Sequence, residues 1–309
     1  MNDKFKDFLI EKKIEFYENF DSSSISSIKI GSVLTVAIFP KSTTDFERLL
    51  KFLWQNKIAF RIFGNASNVL FVEQINYVSI FTCKMNDEIL INGNTFSVSA
   101  GSQMPKLSEK FKKLGISGFE GLSGIPATIG GMIKNNAGAF GYGISDNLIK
   151  VKVFHNGQIE ERLKCEIKFS HHRSNLEGFI IISATFLFEK KNEYDIIKLC
   201  NEFAYKRGIS QPGGYSLGSV FCKTLNRSAG YYIERCGLKN TKIGGIIISN
   251  KHANFFINDG SATAMDFLRL MSQVQNTVEK QFGVKLIPEI EKVGNKNETF
   301  VRLSHPFKI

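Results

Sequence analysis

The sequence is poor in cysteine. Its 309 residues include five cysteines, an odd number, and no two of them form a C-x-x-C pair. Disulfide frameworks and structural zinc sites both need cysteines in suitable pairs, so neither is expected, and no metal is predicted. The cysteines are Cys83, Cys165, Cys200, Cys222 and Cys236.

Long hydrophobic runs are also missing from the sequence. A membrane-spanning helix needs about 20 consecutive apolar residues, and no stretch of the chain approaches that length. Residues 1–16 have the pattern of an amphipathic, charged helix, which differs from the apolar core of a signal peptide. We therefore expect a cytoplasmic protein with no membrane partner.

Positive charge is in excess, but it is not concentrated anywhere. The formal net charge is +11, and the lysines and arginines are spread along the chain without a basic block. No DNA- or RNA-binding motif accompanies them, so no nucleic-acid partner is expected. The excess charge favours attraction of anionic ligands, and an ordinary solvated basic surface is the alternative.

The most informative segment spans residues 118–143. It contains too much glycine for a helix or a paired strand and is too apolar for a disordered linker. Glycine allows a ligand to approach the backbone closely, and the exposed N–H groups of such a turn can bind phosphate oxygens. The segment predicts a cofactor-binding wall, with a glycine-rich packing loop as the alternative. The spacings of nicotinamide-binding Rossmann motifs and of P-loops do not occur in it.

Hydrophobic periodicity divides the first two thirds of the chain into two units. The first has strand-like runs on both sides of an amphipathic helix over residues 45–55, whose apolar face is Phe46, Leu49, Leu50 and Leu53. The second has strand patterns over residues 78–100 and 179–188 and a hairpin around Asn156-Gly157.

A boundary is predicted near residue 208. A helical pattern over residues 192–205 ends in Lys206-Arg207-Gly208, and residues 211–214 read as a linker. Strand patterns follow over residues 243–249 and 253–258. Thr263 and Asp266 predict the capped start of a helix that ends at Gly283. The predicted core face of that helix is Phe267, Met271, Val274, Val278 and Phe282.

Eight short motifs, taken in order, resemble the UDP-N-acetylenolpyruvoylglucosamine reductase family over about residues 30–294. The motifs are Phe63-Gly64-Asn65-Ala66-Ser67-Asn68-Val69-Leu70, Gly121-Leu122-Ser123-Gly124-Ile125-Pro126-Ala127-Thr128-Ile129-Gly130-Gly131, Asn136-Ala137-Gly138-Ala139-Phe140-Gly141, Gly218-Ser219-Val220-Phe221, Ala229-Gly230-Tyr231-Tyr232-Ile233-Glu234, Cys236-Gly237-Leu238-Lys239, Lys251-His252-Ala253-Asn254-Phe255 and Leu286-Ile287-Pro288-Glu289-Ile290.

The resemblance implies an α+β fold, in which an FAD-binding domain of two α/β subdomains is followed by a third α/β substrate-binding domain. Its implied parts are residues 1–75 and 76–207 for the subdomains, 208–283 for the substrate domain, and 284–309 for a C-terminal segment that returns to the FAD side. The short connection before residue 218 implies the compact subtype, and a monomer is expected.

The resemblance also implies a reaction. FAD would be reduced by NADPH and would then reduce the UDP-sugar UDP-N-acetylglucosamine enolpyruvate to UDP-N-acetylmuramate, a precursor of peptidoglycan. Backbone donors would hold the FAD. The implied cofactor-binding residues are Gly64, Asn65, Ala66, Ser67, Asn68, Gly124, Ile125, Pro126, Ala127, Thr128, Gly130, Asn136, Ala137, Gly138 and Ala139.

Three residues are implied as catalytic. Ser219 matches the family's proton-donating serine, and Glu289 matches an acidic residue near the developing charge. The family's F-x-Y-R-x-S pattern can be aligned here in two ways. With a shift of one residue, Arg173 takes the place of the arginine and would stabilise that charge. Alignment on Phe169 instead puts His172 in the arginine's place. An arginine grips a carboxylate at any physiological pH, and a histidine does so only when protonated.

Two other departures keep alternatives open. Ala66 stands in a loop that usually has more glycine, and Cys222-Lys223-Thr224 replaces a Lys-Asn-Pro that contacts substrate in the family. Lys223 would restore a cationic contact and is predicted, with His172, to bind substrate. A divergent flavoprotein that acts on another nucleotide-sugar, or a non-catalytic FAD-binding relative, would also fit these departures.

Overall fold

The computed structural model describes residues 1–170 and 173–295. Helices and strands are mixed throughout, which confirms the predicted α+β fold class. Among the described residues, three sheets have three or more strands; each is accompanied by helices, and they follow one another along the chain. His172, His305 and the end of the predicted C-terminal segment lie outside the described residues.

The first sheet is mixed, with strand order β1-β2-β5-β3. β1 is antiparallel to β2, and β5 is parallel to both β2 and β3. The helix α2 has the predicted core face, since its four apolar residues are all buried, and Ser42 caps its start by accepting from the N–H of Asp45. The elements are α1 (Asp3–Glu11), β1 (Glu15–Asp21), β2 (Val33–Phe39), α2 (Thr43–Gln55), β3 (Phe60–Phe63), β4 (Val69–Phe71) and β5 (Ile75–Phe81).

The N-terminal helix is shorter than predicted. It ends at Glu11, and Lys13 takes a left-handed conformation with φ +53°, which turns the chain. Phe16 and Phe20 then lie opposite Ile38 and Leu34 in the antiparallel pair of β1 and β2. The prediction of helix through residue 16 is wrong because strand pairing with β2 determines the conformation there.

The second sheet is fully antiparallel, with strand order β12-β11-β15-β7-β6. The predicted hairpin around Asn156-Gly157 is present as β11 and β12, and β6 and β7 form a second hairpin within the predicted strand pattern of residues 78–100. The elements are β6 (Leu90–Asn92), β7 (Thr95–Ser99), α3 (Met104–Leu114), β8 (Ile116–Ser117), α4 (Ile129–Lys134), β9 (Gly138–Ala139), β10 (Tyr142–Gly143), β11 (Leu148–His155), β12 (Gln158–Leu163), β13 (Phe169–Ser170), β14 (Arg173–Ser174), β15 (Ile180–Leu187), β16 (Glu189–Lys190) and α5 (Glu193–Ser210).

The glycine-rich segment is more regular than its composition predicted. It forms the short helix α4 and a small hairpin of β9 and β10, so the exclusion of helix and paired strand is wrong. Thr128 caps α4, and a Cβ at Gly130 would lie only 3.0 Å from the Cβ of Ala100. Packing of this turn against β7 therefore selects the helix, despite the low helix propensity of glycine.

The boundary predicted near residue 208 lies inside α5. The helix continues to Ser210, and the N–H of Gln211 still donates to the carbonyl of Arg207 at 2.8 Å. Gln211 itself is extended (ψ 141°) because it precedes Pro212, which disfavours the helical conformation. Proline, and not Gly208, thus ends this helix.

The third sheet is antiparallel, with strand order β17-β18-β19. The predicted strand over residues 243–249 is instead a hairpin that turns at Gly244-Gly245. Thr263 and Asp266 form the predicted capping box, and Gly283 (φ +65°) ends the helix, but Phe282 is 42% exposed and is not a core residue. The elements are α6 (Ala229–Arg235), β17 (Lys242–Ile243), β18 (Ile246–Ile248), β19 (Phe256–Asn258), α7 (Ala264–Phe282) and β20 (Glu291–Val293).

Two shared cores join the three units. Residues of α1 and α2 pack with Phe154, Ile180 and Ile182 of the second sheet. Leu70 of β4 packs in the core of the third unit, and β20 pairs with β4 in parallel. Within the described residues, no helix combines the length and hydropathy needed to cross a membrane.

The hairpin turn at Gly157 gives a test of the contact between the first two units. Gly157 and Gly178 both have φ +82°, but only a Cβ at Gly157 would overlap the indole of Trp54, and a Cβ at Gly178 meets nothing within 4 Å. We expect Gly178→Ala to lower the free energy of unfolding by roughly 1 kcal/mol through backbone strain. Gly157→Ala should lower the free energy of unfolding by about 1–3 kcal/mol more than Gly178→Ala does, because the added methyl group overpacks against Trp54.

Urea unfolding followed by the fluorescence of Trp54, the single tryptophan, measures both variants. Equal losses in the two would show that the indole does not constrain this turn.

Candidate active site

Two loops meet between the first and second sheets. The loop over residues 64–68 joins β3 to β4, and the loop over residues 123–128 leads into α4. A Cβ at Gly64 would overlap Thr128 Oγ1, and Asn65 Nδ2 donates to the carbonyl of Pro126 at 3.1 Å. Glycine at position 64 is therefore required for the loops to approach each other this closely.

The first loop presents unused backbone donors. Among the described residues, no acceptor receives the amide N–H groups of Asn65, Ala66, Ser67 or Asn68. Ala66 is buried and takes the left-handed conformation with φ +46°, where glycine was expected from the family. Consecutive N–H groups around a left-handed residue form a concavity that binds anions, so the loop fits a phosphate group.

The second loop uses its donors within the protein. Its amides bond to the backbone: Ile125 to Leu122 O (2.9 Å), Ala127 to Ile125 O (2.8 Å), Ile129 to Ser102 O (2.9 Å) and Gly130 to Ala100 O (2.8 Å). These four amides, two of them in the first turn of α4, are therefore already bonded, whereas no acceptor among the described residues receives the amides of Gly124 and Thr128. Most of the donors in this loop are therefore used internally, whereas the first loop has four consecutive amides without an internal acceptor among the described residues.

The segment after α4 is tied to the β13–β14 hairpin. Asn136, with φ +43°, donates from Nδ2 to the carbonyl of Ser170 at 2.9 Å and accepts from Ser145 Oγ at 2.8 Å. Ser174 Oγ donates to the carbonyl of Lys134 at 2.9 Å. These bonds place the hairpin that carries Arg173 beside the predicted cofactor residues Asn136, Ala137, Gly138 and Ala139.

Ser219 begins an extended segment held on both sides. On one side, the N–H of Val220 donates to Asn254 O at 2.9 Å, and the Asn254 amide bonds both the N–H and the carbonyl of Phe221. On the other side, the N–H of Glu289 donates to Val220 O at 2.8 Å. Ser219 is half-buried, and its hydroxyl has no hydrogen-bond partner among the described residues.

Glu289 lies between Ser219 and the first loop. Asn68 Nδ2 donates to the backbone carbonyl of Glu289 at 3.1 Å, and the N–H of Glu291 donates to Asn68 O. Burial raises the pKa of Glu289 to about 7. Glu289 precedes β20 and does not lie in a strand, whereas Glu291 is exposed and pairs with Arg61 at 2.5 Å.

The departures from the family pattern lie near Glu289. Burial raises the pKa of the Cys222 thiol, the charge of Glu289 adds to this effect, and the charge of Arg173 opposes it. Arg173 and Glu289 are thus both within electrostatic reach of Cys222, which stays a neutral thiol. Arg173 and Lys223 are exposed. The choice between Arg173 and His172 stays a prediction because His172 lies outside the described residues.

Other polar residues in this region support the backbone. His252 Nδ1 accepts from the N–H of Asn254 at 3.2 Å, and burial lowers the pKa of His252. No sequence pattern indicated a role for Glu120, yet its side chain is buried. Its carboxylate accepts hydrogen bonds from Ser117 Oγ (2.7 Å) and from the N–H of Gly118 (3.0 Å), at the start of the glycine-rich segment. No cluster of possible metal ligands occurs within the described part of the chain.

Comparison with known proteins accounts for this arrangement. Residues 34–161 match the family model described as FAD binding domain, and residues 211–293 match the one described as UDP-N-acetylenolpyruvoylglucosamine reductase, C-terminal domain. A reductase of that name from Carboxydothermus hydrogenoformans is 36% identical over 283 residues, which cover 90% of this chain and 93% of the relative. The chain belongs to the UDP-N-acetylenolpyruvoylglucosamine reductase family.

Further relatives of the family agree over nearly the whole chain. The reductase of Caldanaerobacter subterraneus subsp. tengcongensis is 36% identical over 299 residues, with 95% of this chain and 98% of the relative covered. The crystal structure of the Thermus caldophilus reductase superposes with a TM-score of 0.77 at 27% identity, over 91% of this chain and 99% of that one. The predicted family, its FAD cofactor and its oxidoreductase class are confirmed.

The raised pKa of Glu289 predicts a pH dependence of stability. A glutamate in the unfolded chain titrates near 4.3, so between that pH and about 7 the folded protein holds a proton that the unfolded chain has released. The contribution of Glu289 to stability is complete below about pH 4.3 and is lost as the pH rises through 7.

Between pH 5 and pH 8, the free energy of unfolding of the unmodified apoprotein should fall by about 2 kcal/mol more than that of Glu289→Gln. Urea unfolding at the two pH values measures this difference. Glu291→Gln, two residues away and exposed, removes the ion pair with Arg61 but should leave the change in stability between the two pH values as in the unmodified protein. An unchanged pH dependence in Glu289→Gln would show that this carboxyl group titrates normally.

Proposed function

We propose that this protein reduces UDP-N-acetylglucosamine enolpyruvate to UDP-N-acetylmuramate with FAD and NADPH. One observation carries the proposal: two hydrogen bonds connect Val220, the residue after Ser219, through Glu289 to Asn68 of the first loop. The carbonyl of Val220 accepts from Glu289, whose own carbonyl accepts from Asn68, next to the unused amides. A proton donor, an acid and an anion-binding loop therefore adjoin one another.

Bound FAD supplies hydride transfer, from NADPH and then to the enolpyruvyl double bond. Hydride addition to one carbon leaves negative charge on the neighbouring carbon, beside a carboxylate, and that carbon must receive a proton. The Ser219 hydroxyl is free of internal hydrogen bonds among the described residues, so it is available to donate this proton.

Glu289 and Arg173 are proposed to stabilise the developing charge. A pKa of about 7 keeps a large fraction of Glu289 protonated at neutral pH, so it can donate a hydrogen bond to the negatively charged substrate group. Arg173 supplies a permanent positive charge that can pair with the substrate carboxylate. His172 is retained as a proposed substrate-binding residue from the alternative alignment.

The cofactor residues are also proposals, with unequal roles. Residues 64–68 would bind phosphate through amides, while Gly124, Ile125, Pro126, Ala127, Thr128 and Gly130 would shape the wall. Asn136 would position the β13–β14 hairpin, since its side-chain amide is occupied by Ser145 and Ser170. Lys223 is exposed and suits the substrate diphosphate.

Three further expectations remain proposals: the domain boundaries, the cellular location and the oligomeric state. The division into residues 1–75, 76–207, 208–283 and 284–309 is retained with two changes: the first part extends to Phe81, because β5 belongs to the first sheet, and the third part begins after Ser210, where α5 ends. A cytoplasmic location follows from the nucleotide substrates. The monomeric state is proposed from the family resemblance.

Spectroscopy of the purified protein tests the reaction. We expect flavin absorbance, bleaching by NADPH under nitrogen, and NADPH oxidation that depends on UDP-N-acetylglucosamine enolpyruvate. A flavin that NADPH reduces and this substrate fails to reoxidise would contradict the proposed substrate and favour another nucleotide-sugar. A protein that cannot be loaded with FAD would contradict the enzymatic function.

Ser219→Ala tests the proton donor by separating the two half-reactions. Bleaching of the flavin by NADPH should stay within about twofold of the unmodified rate. Reoxidation by the substrate should slow by about 10²–10⁴-fold, the usual contribution of a positioned acid. Anaerobic stopped-flow absorbance measures both rates.

Ser216→Ala is the matched control. Ser216 is half-buried, three residues earlier, and its hydroxyl accepts only a long bond (3.5 Å) from the N–H of Gly218. It should leave both half-reactions unchanged. Equal slowing of both half-reactions in Ser219→Ala would indicate a structural role for Ser219.

A further inference from the structure

Arg207 lies against the second loop, at a position that no sequence motif indicated. Its side chain extends from α5 to Gly124, where an added Cβ would be 2.6 Å from Arg207 Nε and 3.1 Å from Cδ. Gly124 is exposed and Arg207 is half-buried. The missing side chain at position 124 thus leaves room for the guanidinium in the wall of the proposed cofactor site.

The charge of this guanidinium is not compensated within the described residues. Its single hydrogen bond there is a long one, from Nη1 to Gln211 Oε1 at 3.3 Å. Nη2 is buried without a hydrogen-bond partner, and no carboxylate forms an ion pair with Arg207 within residues 1–170 and 173–295. Burial lowers the pKa of Arg207, which is the expected effect when a cation loses water and gains no anion.

Packing alone does not explain an arginine here. The guanidinium lies 5.2 Å from the ring centroid of Phe140, which itself stacks on Phe203. An apolar side chain of similar length would make these contacts without the desolvation of a charge. Lys206, the next residue in the helix, shows the contrast, because it is exposed and reaches over Phe203 from the solvent side.

We propose that Arg207 binds a phosphate group of FAD. The planar guanidinium can donate two parallel hydrogen bonds to phosphate oxygens, so a phosphate would satisfy both its charge and its unused donors. FAD is favoured over the other diphosphates because Gly124 lies within the residues that match the FAD binding domain. The inference rests on the proposed cofactor wall, and it assigns Arg207 to that wall as its cationic member.

The affinity of the apoprotein for FAD tests the proposal. Titration followed by the quenching of flavin fluorescence should give a Kd that rises about 10- to 100-fold in Arg207→Met, the usual effect of losing a charged hydrogen bond. Arg207→Lys keeps the charge and loses the planar guanidinium, so its Kd for FAD should lie between those of the unmodified protein and Arg207→Met. Lys206→Met removes the same charge one residue away and should change the Kd less than twofold.

Stability of the FAD-free protein provides the second readout. Removing an uncompensated buried charge should leave the free energy of unfolding of Arg207→Met equal to that of the unmodified apoprotein, or higher. A loss of apoprotein stability that accounts for the weaker binding would overturn the proposal and indicate a structural role.

An unchanged Kd for FAD would also overturn it. If the KM for NADPH or for the UDP-sugar rose while that Kd stayed the same, the phosphate bound by Arg207 would belong to that ligand.

Failure of the inference and failure of the proposed function are distinguishable. Weaker FAD binding in Arg207→Met supports the inference even if the unmodified holoprotein does not reduce the UDP-sugar. Normal reductase activity with an unchanged Kd contradicts the inference alone.

Discussion

The parallel pairing of β4 with β20 is the contact on which the candidate site depends. It brings Glu291 opposite Val69, and next to this pair the side chain of Asn68 donates to the backbone carbonyl of Glu289, 221 positions away in sequence. Leu70 of β4 continues the connection by packing with Leu286 and Ile290 in the core of the third unit. Without this pairing, the proposed anion-binding loop and the half-buried Glu289 would belong to separate parts of the chain.

The two loops of the site divide its tasks because their hydrogen bonding differs. Most amides of residues 123–130 donate to backbone carbonyls, and the bonds to Ala100 and Ser102 hold this loop beside the end of β7. Residues 65–68 have no internal acceptor for their amides among the described residues, so an anion can complete their hydrogen bonding. The close approach at Gly64 couples the rigid loop to the loop that binds.

The sequence patterns predicted those features of the fold that depend on residues close together in the chain. The helices α2 and α7 follow from their caps and apolar stripes, and Ser219 and Glu289 follow from motifs that stay together in sequence. The helix α4 could not be predicted, because its glycines become helical through a contact with Ala100, which is remote in sequence. Arg207 was one of 40 basic residues, and only the fold shows that it lies against Gly124 and is deprived of a counter-ion.

Glu289 and Arg207 have one physical feature in common. Burial disfavours the charged form of each, so each lowers the stability of the ligand-free fold at neutral pH. Proteins retain such groups where a ligand needs them. A phosphate at Arg207 would restore the interactions that the guanidinium lost with water. Glu289 differs because it can accept a proton instead, and in the proposed reaction this would let it contact an anionic substrate without repulsion.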